Sequence, residues 1–284
     1  MPSAGCESSF GEPTNANYAR IAPDDARLAV TIRGVNNDDI YTFDLATGER
    51  QRLTFDLAED EAPAWSADGT QIAYSTAWKG DARKIFVKPS DGSGEARLLL
   101  TDARHLHVSD WSSDGRWLLL ERMPLYDVFA VDMETDEELP IAMSGALESD
   151  PHFSPDDHWV TFSSDESGRA EIYVVSFPEP TVKHQVSRHG GIAPRWTAND
   201  ELFYWAGPDL VAARVSTEDG FEIKGRETIL TEPAMARMSM TSIPGYDVTS
   251  DGQEIYVIRE QNELVPTSIH VIRDWQSELE AVRN

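Results

Sequence analysis

Residues 62–75, APAWSADGTQIAYS, read as a small β-hairpin. Trp65 closes a short apolar strand, Ser66-Ala67-Asp68-Gly69 makes the turn, and Gln71-Ile72-Ala73-Tyr74 starts the next strand. Glycine takes a positive φ at no steric cost and aspartate tolerates left-handed geometry while bonding its own backbone, so Asp68-Gly69 suits such a turn. Ile72 and Tyr74 stand two apart and share one face of the strand.

The hairpin returns five more times: YARIAPDDARLAV from Tyr18, HVSDWSSDGRWLLL from His107, DPHFSPDDHWVTF from Asp150, APRWTANDELFYW from Ala193 and GYDVTSDGQEIYV from Gly245. The turn residues Asp24, Asp68, Asp114, Asp156, Asn199 and Asp251 are separated by 44, 46, 42, 43 and 52 positions. Leu28/Val30, Ile72/Tyr74, Leu118/Leu120, Val160/Phe162 and Ile255/Val257 repeat the apolar pair after the turn, and Leu202/Tyr204 does so one residue early. Short strands at a period of roughly 40–45 residues are the signature of propeller blades. The remaining strands follow at even intervals, as in Asp39–Phe43, Lys84–Val87, Asp127–Val131, Glu171–Val175 and Asp209–Ala213. Four strands per repeat complete a blade. The expected fold is therefore all-β, a six-bladed β-propeller of four-stranded antiparallel blades, with blades near 18–57, 58–102, 103–144, 145–188, 189–231 and 243–274.

Residues 1–17 read as a flexible lead-in. An insertion at Glu232–Ser242, carrying Met235, Met238 and Met240, accounts for the longest step. The sixth repeat lacks an outer strand, and Asp274–Leu279 reads as a short helix instead. Either residues 5–17 supply the closing strand of blade six, or that blade has three strands.

Composition narrows the function. With 50 acidic against 24 basic residues the net charge is -26, which argues against nucleic acid and against anionic membrane surfaces as partners. The acid excess and the scarcity of Lys fit either a salt-adapted protein or an ordinary acidic surface encoded by a GC-rich genome. The one cysteine, Cys6, excludes an intramolecular disulfide. Ser3-Ala4-Gly5-Cys6 resembles the end of a lipoprotein cleavage site but has no apolar stretch before it, so an ordinary terminal thiol is the default. No run is apolar enough to span a bilayer, and direct membrane insertion and a signal peptide are not expected.

The aromatic-flanked Asp-Gly turns, the [I/V/L]-[Y/F]-V strands and the polar outer strands resemble the WD40-like Pro-Asp repeats of the Tol-associated propeller TolB. The ending Ile272-Arg273-Asp274-Trp275-Gln276-Ser277-Glu278-Leu279 is similar to that of propellers that follow the kinase domain in bacterial serine/threonine kinases. The resemblance runs from Tyr18 to Leu279 and departs from Asp-Gly at Asp24-Asp25, Asp156-Asp157 and Asn199-Asp200. It implies a binding propeller, not an enzyme, with a protein or peptide partner and a periplasmic or other extracytoplasmic setting. A monomer without cofactor is expected. No kinase lobe or Gly-rich phosphate loop is present, so no phosphoryl transfer is implied.

The residue before each strand-ending aromatic or aliphatic should face the central channel. Around the ring these are Arg20, Ala64, Asp110, His152, Arg195 and Asp247. Arg20 is expected to pair with Asp247 across the ring closure, and Asp110 with His152. Such pairs either satisfy charges that could not be buried alone or line a channel mouth that recognises a ligand. Trp78 is the expected exposed contact residue and is grouped with the channel-mouth binding residues, whereas Trp65, Trp111 and Trp196 occupy one repeat position and are expected to pack between blades. His105, His107, Asp110, Asp150 and His152 offer donor types that suit zinc, although solvent-exposed loop histidines are the default. Asp165-Glu166-Ser167-Gly168 resembles a cation loop and reads more simply as a hairpin tip. No serine lies in a Gly-x-Ser-x-Gly elbow. Two alternatives to a binding propeller are a calcium-dependent six-bladed hydrolase or lactonase and the accessory propeller of a peptidase, the latter needing a hydrolase domain.

Overall fold

A computed structural model of the chain describes residues 6–78, 83–124, 126–218, 220–237, 239–240, 245–259, 267–273 and 275. Six four-stranded antiparallel sheets are arranged as the blades of a β-propeller. The first strand, β1 (Cys6–Thr14), belongs to the last blade. Blade one comprises β2 (Ala16–Ile21), β3 (Arg27–Arg33), β4 (Asp38–Asp44) and β5 (Arg50–Arg52). Blade two comprises β6 (Glu59–Trp65), β7 (Gln71–Ala77), β8 (Lys84–Pro89) and β9 (Arg97–Leu100). Blade three is β10 (Leu106–Trp111), β11 (Trp117–Arg122), β12 (Asp127–Asp132) and β13 (Glu138–Ala142). Blade four is β14 (Glu148–Phe153), β15 (Trp159–Ser164), β16 (Glu171–Ser176) and β17 (Lys183–Gln185). Blade five is β18 (Ile192–Trp196), β19 (Glu201–Ala206), β20 (Asp209–Ser216) and β21 (Glu222–Thr231). Blade six runs from β22 (Tyr246–Val248) through β23 (Glu254–Arg259) and β24 (Thr267–Arg273) to β1.

The lead-in is thus a strand over Cys6–Thr14, and the last blade has four strands. Cys6 pairs with Arg273 and Phe10 with Ile269, so the beginning of the chain covers the edge that β24 would otherwise present. The expected helix over 274–279 lies, apart from Trp275, outside the described residues. Part of the insertion forms a 3₁₀ turn, Pro233–Arg237, and Met235 and Met240 are buried against blades five and six.

Four of the six first turns are held by the same polar device. In blade two Ser66 Oγ donates to Asp68 Oδ1 at 2.7 Å and accepts from Gln71 N at 2.9 Å, while Thr70 N donates to Asp68 Oδ1. Ser112/Asp114, Ser154/Asp156 and Thr249/Asp251 repeat the hydroxyl–carboxylate pair. The next residue adopts a left-handed conformation: Gly69, Gly115 and Gly252 in three blades, and Asp25 (φ 52°), Asp157 (φ 56°) and Asp200 (φ 58°) where glycine is missing.

A second irregularity lies in the innermost strands. Register shifts interrupt β2, β6, β10, β14 and β18, and Tyr18, Ala62, Asp150 and Ala193 take positive φ at four of these bulges. A bulge leaves a ladder N–H free, and the preceding blade supplies its acceptor. Thr31 Oγ1 accepts from Ala62 N, Ser75 Oγ from Val108 N, Glu121 Oε1 from Asp150 N and Ser163 Oγ from Ala193 N. The apolar pairs after each turn bury their side chains between blades. Leu28 and Val30, for example, pack with Tyr256 and Ile258 across the junction between blades one and six.

Candidate functional site

The bulges and turns bring the innermost strands of all six blades to one end of the channel, around a cavity of about 330 Å³. Arg20, Asp110, His152, Arg195 and Asp247 line it together with Ala64. Asp110 meets His152 as expected, but Arg20 pairs with Asp150 and not with Asp247. Arg20 Nη2 reaches Asp150 Oδ1 at 3.0 Å, and Arg195 Nη1 reaches Asp150 Oδ2 at 2.9 Å. Asp247 instead accepts from Ile21 N at 2.7 Å and lies 3.3 Å from Arg195 Nε. Asp110 accepts from Phe153 N at 2.9 Å and lies 3.3 Å from His152 Nδ1. Asp110 and Asp247, three blades apart, therefore do the same backbone work for the following blade. That anchoring holds the Asp247 carboxylate to blade one's backbone, while Asp150, projecting from its bulge, sits between the two guanidiniums.

The sequence offered Asp150 only as a possible metal donor, not as the centre of this ion network. Its equivalents are Tyr18, Ala62, Val108, Ala193 and Gly245, so a carboxylate in an otherwise uncharged column was the signal. Burial alone would raise its pKa, but Arg195, the His152 hydrogen bond and Arg20 together hold it far below the usual carboxylate range. Burial and the neighbouring Arg195 push the Arg20 guanidinium down, against the attraction of Asp150 and Asp247. Arg195 remains firmly cationic because Asp150 and Asp247 outweigh its burial.

Beneath this layer lies a second polar group. Glu61 Oε1 is 2.8 Å from Arg83 Nε and 3.1 Å from His107 Nε2, and Glu121 Oε1 accepts from Ser109 Oγ at 3.0 Å. Burial would raise Glu61, but His107 and Arg83 hold it low. Burial raises Glu121 despite the nearby His107. Glu121 stands in the column that holds Thr31, Ser75 and Ser163 in other blades, another substitution readable from the repeat.

The histidines do not assemble a metal centre. His105 Nδ1 faces Arg83 N at 3.3 Å, His107 is engaged with Glu61, and His152 stands with Asp110 and Asp150. Among the described residues no three His, Cys, Asp or Glu side chains converge as metal ligands. Asp165 accepts from Leu147 N at 2.9 Å, and Glu166 pairs with Lys183.

The rim comes from the turns. Trp65 is buried and donates to Arg20 O at 2.9 Å, joining blades two and one. Trp111 and Trp196, at the same repeat position, pack against the interblade clusters as expected, but they are only half-buried and also line the cavity. Asp157 Oδ2 accepts from Ser113 N at 2.9 Å and from Ser113 Oγ at 2.6 Å, and Asp25 holds Ser250 of blade six in the same way. Two of the three aspartates that replace turn glycines thus fasten neighbouring turns together. Trp78 lies elsewhere. Register Glu59↔Ala77 places it past the far end of β7, whereas the cavity is at the Trp65↔Ile72 end.

No family model matches the chain. It is 24% identical over 204 residues to the uncharacterized peptidase YuxL of Bacillus subtilis, covering 54% of this chain and 31% of that protein. It is 24% identical over 130 residues to the Tol-Pal system protein TolB of Wolinella succinogenes, covering 45% of this chain and 30% of that one. The chain therefore spans about a third of the length of these two relatives. Among solved structures, TolB from Acinetobacter baumannii superposes with a TM-score of 0.68 at 13% identity, covering 88% of this chain and 64% of the other. A protein of Agrobacterium tumefaciens assigned to TolB gives 0.65 at 19% identity, with coverages of 79% and 85%. A manganese-bound oligogalacturonate lyase gives 0.62 at 13% identity, with coverages of 95% and 79%. The architecture and these likenesses make the fold a TolB-like six-bladed β-propeller.

Proposed function

We propose that the chain is a non-catalytic binding propeller that receives a peptide or a protruding protein loop at the cavity end of its channel. The observation that carries this reading is the division of labour in the cavity. The buried charges are tied to one another and to backbone amides, whereas the rim offers half-buried Trp111 and Trp196 beside exposed turn residues such as Pro23 and Pro155. Aromatic and proline surface at the rim suits an extended chain, and a prefixed network lowers the ordering cost of binding. A propeller can host many functions, so the site and not the fold bears this proposal. We take the setting to be extracytoplasmic, by analogy with the Tol-associated propellers. No helix among the described residues is long and apolar enough to cross a membrane.

Peptides selected by display on the whole protein provide the test. Bulky substitutions at two rim positions, Ala67→Trp and Ala198→Trp, should abolish their binding while leaving the melting temperature within a few degrees. Retained binding would place the contact elsewhere. Turnover of peptides, lactones or oligogalacturonate would replace the binding role with an enzymatic one. The metal-dependent alternative is separable by melting with EDTA, calcium or magnesium at matched ionic strength. Equal gains from calcium and magnesium are expected, because any cation relieves the self-repulsion of so acidic a chain. A calcium-specific site at about 100 times its dissociation constant would instead add roughly 2.7 kcal/mol.

A further inference from the structure

At the junction of blades one and two the chain fills a rim site with a side chain of its own. The Arg27 guanidinium carbon lies 4.7 Å from the Trp65 ring centroid. Arg27 Nη2 donates to Asp24 Oδ2 at 3.1 Å and to Gly69 O at 2.9 Å, and Nη1 donates to Ser90 Oγ at 3.0 Å. An indole of blade two, the turn carboxylate of blade one and the turn carbonyl of blade two thus hold one guanidinium. Stacking combined with a fixed fork of donors is what a guanidinium offers and an ammonium does not.

At the junction of blades two and three the receiving groups recur and the arginine does not. Trp111 stands for Trp65, Asp68 for Asp24 and Gly115 for Gly69, but three residues after Asp68 comes Gln71, at the place of Arg27. Gln71 is shorter and uncharged. A cavity of about 410 Å³ opens here, lined by Asp68, Gln71, Trp111 and Gly115. The two glycines record the difference. A Cβ on Gly69 would stand 3.0 Å from Arg27 Nη2, whereas one on Gly115 would meet nothing within 4 Å.

Asp68 is prepared as Asp24 is. Thr70 N donates to its Oδ1 at 3.0 Å, as Ala26 N does to Asp24 Oδ1, and its Oδ2 accepts no hydrogen bond from the described residues. The Thr70 amide, with the Ser66 and Thr70 hydroxyls, holds the Asp68 carboxyl below the usual carboxylate range. Two details differ between the junctions. Trp111 Nε1 donates to Gly115 O at 3.0 Å, where Trp65 Nε1 reaches Arg20 O, but a carbonyl keeps a second lone pair. Met133 stands where Ser90 does, so the hydroxyl contact is lost, and Arg116, at the place of Thr70, is turned to Asp132.

We propose that the cavity between the first turns of blades two and three is a guanidinium site, filled by an arginine side chain of the bound peptide as Arg27 fills its neighbour. Ala67, Trp111 and Ser113 line both this cavity and the larger one, so a chain lying in the larger cavity can reach it. The site stands on the Arg27 arrangement, while giving its guanidinium to a peptide rests on the binding role proposed above.

The probe is N-acetylarginine amide, with its lysine and citrulline analogues as controls, added to the isotope-labelled whole protein and followed by NMR. The arginine probe should shift the Trp111 indole N–H and the Gly115 amide saturably, binding at least about fivefold more tightly than either control. Gln71→Arg, which rebuilds the Arg27 arrangement, should abolish these shifts and raise the melting temperature. Equal binding of the lysine or citrulline probe, shifts centred away from Trp111 and Gly115, or unchanged binding by Gln71→Arg would overturn the site. Peptides selected on the whole protein supply the second arm. Changing their arginine to lysine should cost about fivefold in affinity with the parent and nothing with Gln71→Arg. Peptides indifferent to that change, with the probe shifts intact, would overturn the assignment to a peptide and leave a free guanidinium compound as the occupant. Failure to select any peptide would overturn the cavity reading and leave the guanidinium site standing.

Discussion

Two aspartates show how position decides what a buried carboxylate does. Asp150 is flanked by Arg20, Arg195 and His152 and is held ionised. Asp150→Asn would leave two buried guanidiniums short of their counter-charge, a change that should cost about 3–5 kcal/mol in urea unfolding. Asp110→Asn, at a side chain 28% exposed, should cost clearly less. Equal losses would show that the Asp150 network does not dominate the channel. Asp60 is the reverse case. Burial pushes its carboxyl to about 7, against a hydrogen bond from Thr76 Oγ1, and its Oδ2 has no hydrogen-bond partner among the described residues. Its folded pKa is above the unfolded value of 3.8, so the folded state holds the proton more tightly and stability falls as pH rises toward about 7. Asp60→Asn should therefore be more stable than the parent at pH 8, by on the order of a few kcal/mol, with the gap closing toward pH 4. A constant gap across that range, measured by thermal melts, would contradict the assignment.

At the scale of the element, the first turns combine a backbone requirement with an interblade task. Asp25 and Asp157 adopt the left-handed conformation that glycine takes in blades two, three and six, and each uses its carboxylate to hold the neighbouring turn. In blade five the reach is made by Asn199, whose Nδ2 donates to Asp251 O at 2.8 Å, so Asp200 carries the conformation without that clasp. Asp200→Gly should be neutral or stabilising by a few tenths of a kcal/mol, because it relieves the left-handed cost. Asp157→Gly should be about 1–2 kcal/mol worse than Asp200→Gly, because it also releases Ser113. Identical effects in denaturant titrations would mean that the clasps contribute nothing. The same turns show what sequence could reveal. Asp-Gly and the apolar pairs gave away the hairpin and its period because both are local rules. The clasp was unreadable, since it joins Asp25 to Ser250 from opposite ends of the chain.

For the whole molecule, six repeats of one hairpin fixed the fold class, and the ring then set which residues meet. The channel-facing column was visible from alternation along each strand, and it holds Arg20, Asp110, His152, Arg195 and Asp247 together. Of the partnerships only Asp110 with His152 was legible, because a bulge in each of β2, β6, β10, β14 and β18 shifts the register and turns Asp150 into the centre of the network. The closing strand was weakly marked for a similar reason. An outermost strand buries little, so its composition stays polar and resembles a linker. Trp78 was grouped with the channel only because exposure, not the end of the blade, was legible. The proposed binding role puts the ligand at the turn end of the channel. Hydrogen exchange of the whole protein with and without a display-selected peptide tests it most directly. Slowed exchange is predicted in the first turns of several blades, around Ala22–Asp25, Ser112–Gly115, Ser154–Asp157 and Thr249–Gly252, with the outer strands unchanged. Protection confined to the outer strands or to the far end, or cleavage of the peptide during the experiment, would contradict it.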